Sequence, residues 1–374
     1  MKRWWPRAAP WVLAPACLVT VGEWALRRSG YEYVRIVDRV LRVHPDDEAQ
    51  SGPSGIHRFD PYPLWSPRPG AMLPWTNGER INADGYRGPQ LDVERKDGVL
   101  RIAFLGGAAT MGVGVRWEDS FPALSTRLVG ERIMPAECLN AGVQDFSVRQ
   151  CLERYRALVR PYRPHVVVMS VGLPVCYRQA RGGWTDDQLI QRARHLGTEQ
   201  PSDAWPDSRV LQLVHWMKDA LVGRYWKERD FEFQQQRLAA GYGDLDWPGV
   251  RRVPVHDYHA SLAWLVQELR QDGAHLVLLS IPGAPDAPIP PVHDVYLRTL
   301  ADFADREKIL LLDARHAYMA ALRGDVPKED LFQPDENPSE CGHAHIAQAL
   351  ADALVQGIAE RSQPKAGAGT PTPR

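Results

Sequence analysis

The residues that could do chemistry gather in a few short stretches of this chain. Gly106-Gly107-Ala108-Ala109-Thr110-Met111-Gly112 is a run of small residues able to turn sharply from a strand into a helix, where α/β proteins place their sites. Gly107, Ala109 and Gly112 fall at the spacing of a dinucleotide loop. Ala109, however, stands where the middle glycine would let a pyrophosphate approach, and Leu139-Asn140-Ala141-Gly142 ends the next strand without an acidic residue. Near the other end His343 and His345 form an HxH pair with no nearby third ligand, a poor metal site. Cys341 and His343 are a thiol and an imidazole two positions apart, which makes them a nucleophile and base only if the fold turns them toward each other. Thr110 is expected to cap backbone groups in the first helical turn, and Asp335, Ser339 and Glu340 to be polar groups at a helix start. The cysteines (Cys17, Cys138, Cys151, Cys176, Cys341) include no CxxC pair and read as buried or incidental thiols. No cofactor and no metal is expected.

The elements that must position these residues are legible as short apolar runs. They are Arg101–Leu105, Glu137–Leu139, His165–Val171, His275–Ile281 and Ile309–Leu312, strand-length and apolar nearly throughout, as in parallel strands covered on both faces. Between them lie helical patterns. Tyr258–Gln271 carries Leu262, Leu265, Val266 and Leu269 on one face and is closed by Asp272-Gly273. This alternation predicts an α/β fold: a doubly wound, flavodoxin-like sheet of about five parallel strands flanked by helices. Residues 178–255 break the rhythm and predict a helical insertion over one end of the sheet. Within it Ser208–Arg229 has Val210, Leu213, Val214, Met217 and Leu221 at helical spacing, a stripe expected to pack in a core, with Trp184, Trp205, Trp226 and Trp247 around it.

Composition bounds the rest. The chain has 374 residues, 44% hydrophobic and 24% charged, enough to bury a sizeable core, and a net charge of −1 leaves no basic surplus for nucleic acid. Lys2, Arg3 and Arg7 precede an uncharged stretch from Ala8 to Gly22, followed by Glu23-Trp24-Ala25-Leu26 and Arg27-Arg28. Pro10, Pro15 and Glu23 make it a marginal spanning helix, and the h-region before Ala14-Pro15-Ala16 is short for a cleaved signal. The expectation is an uncleaved membrane anchor; a cleaved signal and an ordinary amphipathic helix stay open. The organisation expected is an anchor and following helix at 1–44, an irregular connector at 45–98, the α/β domain at 99–361 and a disordered tail at 362–374.

Several blocks resemble the SGNH/GDSL hydrolase family in its membrane-anchored bacterial form. Asn82-Ala83-Asp84-Gly85-Tyr86-Arg87-Gly88 is similar to the Asn-x-x-Gly-[Phe/Tyr]-Arg-Gly segment before its first strand. The turn at Gly106–Gly112 matches the place of its Gly-Asp-Ser-x-Thr block. Leu139-Asn140-Ala141-Gly142-Val143 with Gln150 resembles its second block, and Arg160–Val168 the strand before its third. Arg252-Val253-Pro254 with Val277-Leu278-Leu279 resembles the approach to its fourth strand, and Asn337-Pro338-Ser339-Glu340-Cys341-Gly342-His343 its closing His-Pro-x-x-x-Gly-His block. The likeness runs over residues 20–360.

The resemblance implies a serine nucleophile, a histidine base, an aspartate three residues before it and oxyanion donors from the second-block Gly and the third-block Asn. Carried over position by position, the nucleophile is Ala108, preceded by Gly107 in place of Asp. The second-block Gly is present as Gly142, with its N–H expected to be available. The third-block Asn is Pro174, the base is Asn337, and its orienter is Pro334. In a comparable serine enzyme, loss of nucleophile or base alone costs about a million-fold in turnover. The expectation is a pseudoenzyme tethered to a membrane outside the cytoplasm, with a binding or assembly role on an acylated glycan or an envelope protein and a link to envelope polysaccharide acylation. The alternative is an active esterase or O-acyltransferase using non-standard residues.

Overall fold

The computed structural model describes residues 5–29, 31, 55–170, 172–180, 183–198, 208–214, 216–218, 221, 243–283 and 289–362. The helix expected after the anchor, residues 45–54 of the connector, Trp205, Trp226 and the tail beyond Ser362 lie outside them.

The segment expected to be an irregular connector has structure of its own. Strands β1 (His57–Asp60) and β2 (Leu64–Pro67) pair antiparallel, and Leu64 and Trp65 are fully buried in the main core. Sequence patterning misses this hairpin because its strands are four residues long and their order comes from what they pack against. What fixes the segment is a set of buried guanidiniums that reach for backbone carbonyls. Arg101 donates from Nη1 to the carbonyls of Val93 (2.9 Å) and Tyr162 (2.7 Å), from Nη2 to those of Asp92 (2.8 Å) and Glu94 (3.2 Å), and from Nε to Glu137 (2.6 Å). Arg154 donates to the Gly85 and Ala141 carbonyls, both at 2.8 Å, and lies over the Tyr86 ring. A buried charge is tolerated where its donors find acceptors, and every nitrogen of these two guanidiniums has one, Arg154 Nη1 at Ser66 Oγ (3.4 Å).

The central sheet is made of the five expected runs: β3 (Leu100–Leu105), β4 (Ala136–Asn140), β5 (Val166–Ser170), β6 (His275–Ser280) and β7 (Leu310–Asp313). All neighbours are parallel, in the order β4-β3-β5-β6-β7, the flavodoxin-like arrangement. Alternate residues point to opposite faces. Ala103, Leu105, Val167, Met169 and Leu278 enter one core; Ile102, Phe104, Val166, Val168 and Leu279 enter the other. That double burial is why the runs are apolar throughout rather than alternating.

The helices introduced here are α1 (Trp5–Arg28), α2 (Ala108–Met111), α3 (Phe121–Arg132), α4 (Val148–Arg154), α5 (Leu173–Tyr177), α6 (Asp186–Thr198), α7 (Val255–Asp272), α8 (Pro291–Glu307), α9 (Arg315–Arg323), α10 (Lys328–Leu331) and α11 (Glu340–Ser362). α7 buries Tyr258, Leu262, Leu265, Val266 and Leu269 at i, i+4, i+7, i+8 and i+11, and stops at Gly273 in the left-handed region. α11 packs on α3 with Ile346, Ala347, Leu350 and Leu354 inward.

In the insertion, α6 buries Leu189, Ile190 and Ala193 in the main core. The stripe in the helical residues between 209 and 221 departs from expectation. Val214, Met217 and Leu221 are exposed, because these turns project beside α1 instead of lying on the sheet.

Candidate functional site

The loops after β3, β4 and β5 leave the same edge of the sheet, and they meet around one backbone carbonyl. A Cβ placed on Gly107 would lie 4.0 Å from the Phe146 oxygen, and one on Gly172 would lie 3.4 Å from it. The loop before α11 joins them from the side: Gln333 Nε2 donates to the Val113 carbonyl at 3.0 Å and to the Pro338 carbonyl at 2.7 Å. The turns after β3, β4 and β5 therefore border one region, and the loop before α11 reaches the first of them at Val113.

The turn after β3 is built firmly. Met111 N–H bonds to Gly107 and Gly112 N–H to Ala108, and Gly112 ends the short helix at φ +79, a conformation that needs glycine. Arg87, 3% exposed, donates from Nη1 to the Met111 (2.8 Å) and Gly112 carbonyls and from Nη2 to the Val115 carbonyl (2.6 Å) and to Glu79 (2.8 Å). Glu79 in turn accepts from the Trp117 N–H at 2.9 Å. Asn82 shapes the preceding turn by accepting from the N–H groups of Asp84 and Tyr86. The Asn-x-x-Gly-Tyr-Arg-Gly segment is thus the clamp on the loop that carries Ala108.

Ala108 presents a methyl group at the turn, with Gly107 before it. Gly142 corrects an expectation. Its N–H is not available, because it donates to Asn140 Oδ1 at 2.9 Å, while Asn140 Nδ2 holds the Thr110 carbonyl at 2.8 Å. Glycine is required there for another reason: a Cβ would lie 2.5 Å from the Met111 nitrogen. Thr110 is a second correction. It caps nothing; its hydroxyl is buried, and Oγ1 has no hydrogen-bond partner. Pro174 is exposed in the first turn of α5. Asn337 donates from Nδ2 to Asp335 (2.9 Å) and from its N–H to the same carboxylate (3.2 Å), with Pro334 exposed in the turn before them.

The remaining nucleophile and base candidates face away from one another. His343 is fully buried and stacked on Phe121, its Nδ1 accepting the Phe121 N–H at 3.1 Å; burial drives its pKa down to about 3. Burial likewise raises the Cys341 thiol, away from thiolate character. Ser339 caps α11 by accepting the Gly342 N–H at 3.1 Å. No group of three or more His, Cys, Asp or Glu among the described residues is arranged to hold a metal ion.

Reading the sequence also misses a buried polar cluster behind the β4 loop. Arg252 pairs with Asp186 (2.9 Å) and Asp145 (3.2 Å) and donates to Gln150 (2.5 Å), while Ser147 donates to Asp186 (2.5 Å). Burial pushes the Asp186 carboxyl up against the pull of Arg252. The cluster joins both ends of the insertion to the loop beside Phe146. Gln150 and Arg252 were visible as family-like residues; their partners Asp145 and Asp186 had no signal beyond being charged.

Sheet order makes the architecture doubly wound and flavodoxin-like, the arrangement that the SGNH/GDSL resemblance implies. No protein-family model matches the chain, and no curated protein matches it. Solved structures similar to it include a lipolytic protein of the G-D-S-L family from Desulfitobacterium hafniense, at 15% identity over 68% of this chain and 99% of that one with a TM-score of 0.41. An acetylxylan esterase from Geobacillus stearothermophilus aligns at 16% identity over 68% and 94%, also with a TM-score of 0.41. TesA aligns at 15% identity over 68% and 97%, with the same score. What this site does is read from its own residues.

Proposed function

We propose that this SGNH-type chain is a pseudoenzyme that binds an acylated glycan at the edge of β3, β4 and β5 without hydrolysing it, tethered outside the cytoplasm by α1 and serving envelope polysaccharide acylation. The observation that carries the reading is the simultaneous absence of four roles from three loops that the resemblance assigns to catalysis. Ala108 has no hydroxyl, Asn337 cannot take a proton, Pro334 cannot orient a base, and Pro174 has neither amide side chain nor N–H. The family-type oxyanion donor at Gly142 is engaged by Asn140. No observation favours relocated catalysis: Thr110 is buried, the Cys341 thiol is held protonated, and the His343 ring is packed on Phe121.

The test is to offer purified protein p-nitrophenyl acetate and an acetylated xylo-oligosaccharide. The expected result is no turnover above buffer, with calorimetric binding of the acetylated oligosaccharide in preference to its deacetylated form. Turnover that disappears in Thr110→Val or Cys341→Ser would overturn the proposal.

A further inference from the structure

We infer that the insertion supplies a second membrane contact: the helical residues 209–214, 216–218 and 221 enter the same lipid layer as α1. The inference rests on the tether proposed above and is independent of what the cleft binds. The two helices are one unit. Glu23 of α1 accepts from Ser208 Oγ (2.9 Å) and from the N–H groups of Arg209 (3.0 Å) and Val210 (3.1 Å), so a carboxylate satisfies the open end of the second helix. A Cβ on Gly22 would meet Val210 at 3.5 Å.

What this unit exposes distinguishes lipid from a protein groove. Cys17, Leu18, Val19, Thr20 and Val21 are all exposed, more than one full turn, with Leu18 at 74%. A groove on a partner protein covers one face of a helix; a helix that is largely apolar all round needs an apolar medium on every side. Leu211, Val214, Trp216, Met217 and Leu221 continue the exposed apolar surface, Leu221 at 77%. Among the described residues no helix is long and apolar enough to cross a membrane, so the pair enters one leaflet without spanning the bilayer. Charge agrees. Arg28 ends α1 and Lys218 is exposed on the second helix, while Glu23 is engaged in the junction and with Arg27 at 2.7 Å. Arg28 lies over the Trp24 ring, 5.6 Å from its centroid, an aromatic–cation pair suited to anionic headgroups.

The experiment uses the full chain with Cys17→Ser, the other cysteines being buried or half-buried. One cysteine is introduced by Val19→Cys, Leu221→Cys or, as control, Met319→Cys at an exposed apolar position of the α/β domain, and is labelled with an environment-sensitive fluorophore. Vesicles of phosphatidylcholine with phosphatidylglycerol are offered with plain or brominated acyl chains. The labels at 19 and 221 are expected to shift to the blue and lose most of their emission to brominated lipid, and the label at 319 to do neither. On phosphatidylcholine alone, partition should weaken about tenfold as Arg28 and Lys218 lose their anionic partners. Quenching at 19 with none at 221 overturns the inference and leaves the tether standing; quenching at neither overturns both. A blue shift at 221 without quenching, with a doubled mass in light scattering, assigns the surface to a second copy of this chain and overturns the inference.

Discussion

Two of the loops that carry positions matched to catalytic residues by the resemblance are held in opposite ways. The turn from Gly106 to Val115 is fixed by a buried guanidinium, by the Asn140 amide and by a glycine that no other residue can replace without moving α2. The loop from Gln333 to Asn337 rests on Gln333 and on a local turn between Asp335 and Asn337, with Pro334, Asp335 and Glu336 exposed. The difference separates positions that hold backbone in place from positions to which the resemblance assigns chemistry. Groups satisfying buried backbone are kept in place by stability, whereas a catalytic side chain at the surface can go at almost no cost to folding.

The largest effect should come from breaking the clamp. Arg87→Met leaves the Met111, Gly112 and Val115 carbonyls and Glu79 without their donor. Loss of one partner of a buried pair costs on the order of 3–5 kcal/mol. Urea unfolding should show it, and a loss below about 1 kcal/mol would show that the turn is held by something else.

The next effect tests the packing at the start of α11, between the two loops. The His343 pKa falls from an ordinary value near 6.5 to about 3. Between those values the unfolded chain binds a proton that the native chain does not. The stability this group contributes is therefore present above pH ~6.5 and declines as pH falls toward 3. At pH 5 the decline should be about 2 kcal/mol relative to neutrality. The check is the pH dependence of the urea midpoint in wild type and in His343→Gln, which should have the shallower dependence; equal slopes would place the titration elsewhere.

The sheet was readable in the sequence because parallel strands covered on both faces leave continuous apolar runs, and each of the five appears within a residue or two of its expected place. The hairpin at 57–67 was not, because its order comes from Trp65 and Leu64 docking into a core contributed by distant residues. Positions such as Ala108, Pro174 and Asn337 are named by motif spacing alone. The state of the Gly142 N–H was not readable, since it depends on which way the Asn140 side chain folds back. A side-chain stripe also says nothing about what lies opposite it, which is why Val214, Met217 and Leu221 looked like core and are exposed.

A smaller effect should follow from Asn140→Ala. The change orphans the buried Gly142 N–H and the Thr110 carbonyl, at a cost of about 1–3 kcal/mol. If unfolding shows less than ~0.5 kcal/mol, water has replaced the amide, and the turn is less rigidly built than the comparison holds.

The smallest effect should come from putting the chemistry back. Ala108→Ser with Asn337→His changes two positions that bury little and bond only locally, so stability should stay within about 0.5 kcal/mol. Activity should barely rise. Each missing oxyanion donor costs about a hundred- to thousand-fold, and two would still be absent: Gly142 N–H is held by Asn140, and Pro174 has nothing to donate. The orienter is only half supplied. Asp335 already bonds the side chain at 337, but it lies two residues before the base where the resemblance implies three. Hydrolysis of p-nitrophenyl acetate by the double variant should therefore remain about ten-thousand-fold below an intact serine site. If it came within about tenfold of one, the loop before α11 would hold a working geometry, and the contrast between a firmly held turn and a loosely held loop would fail.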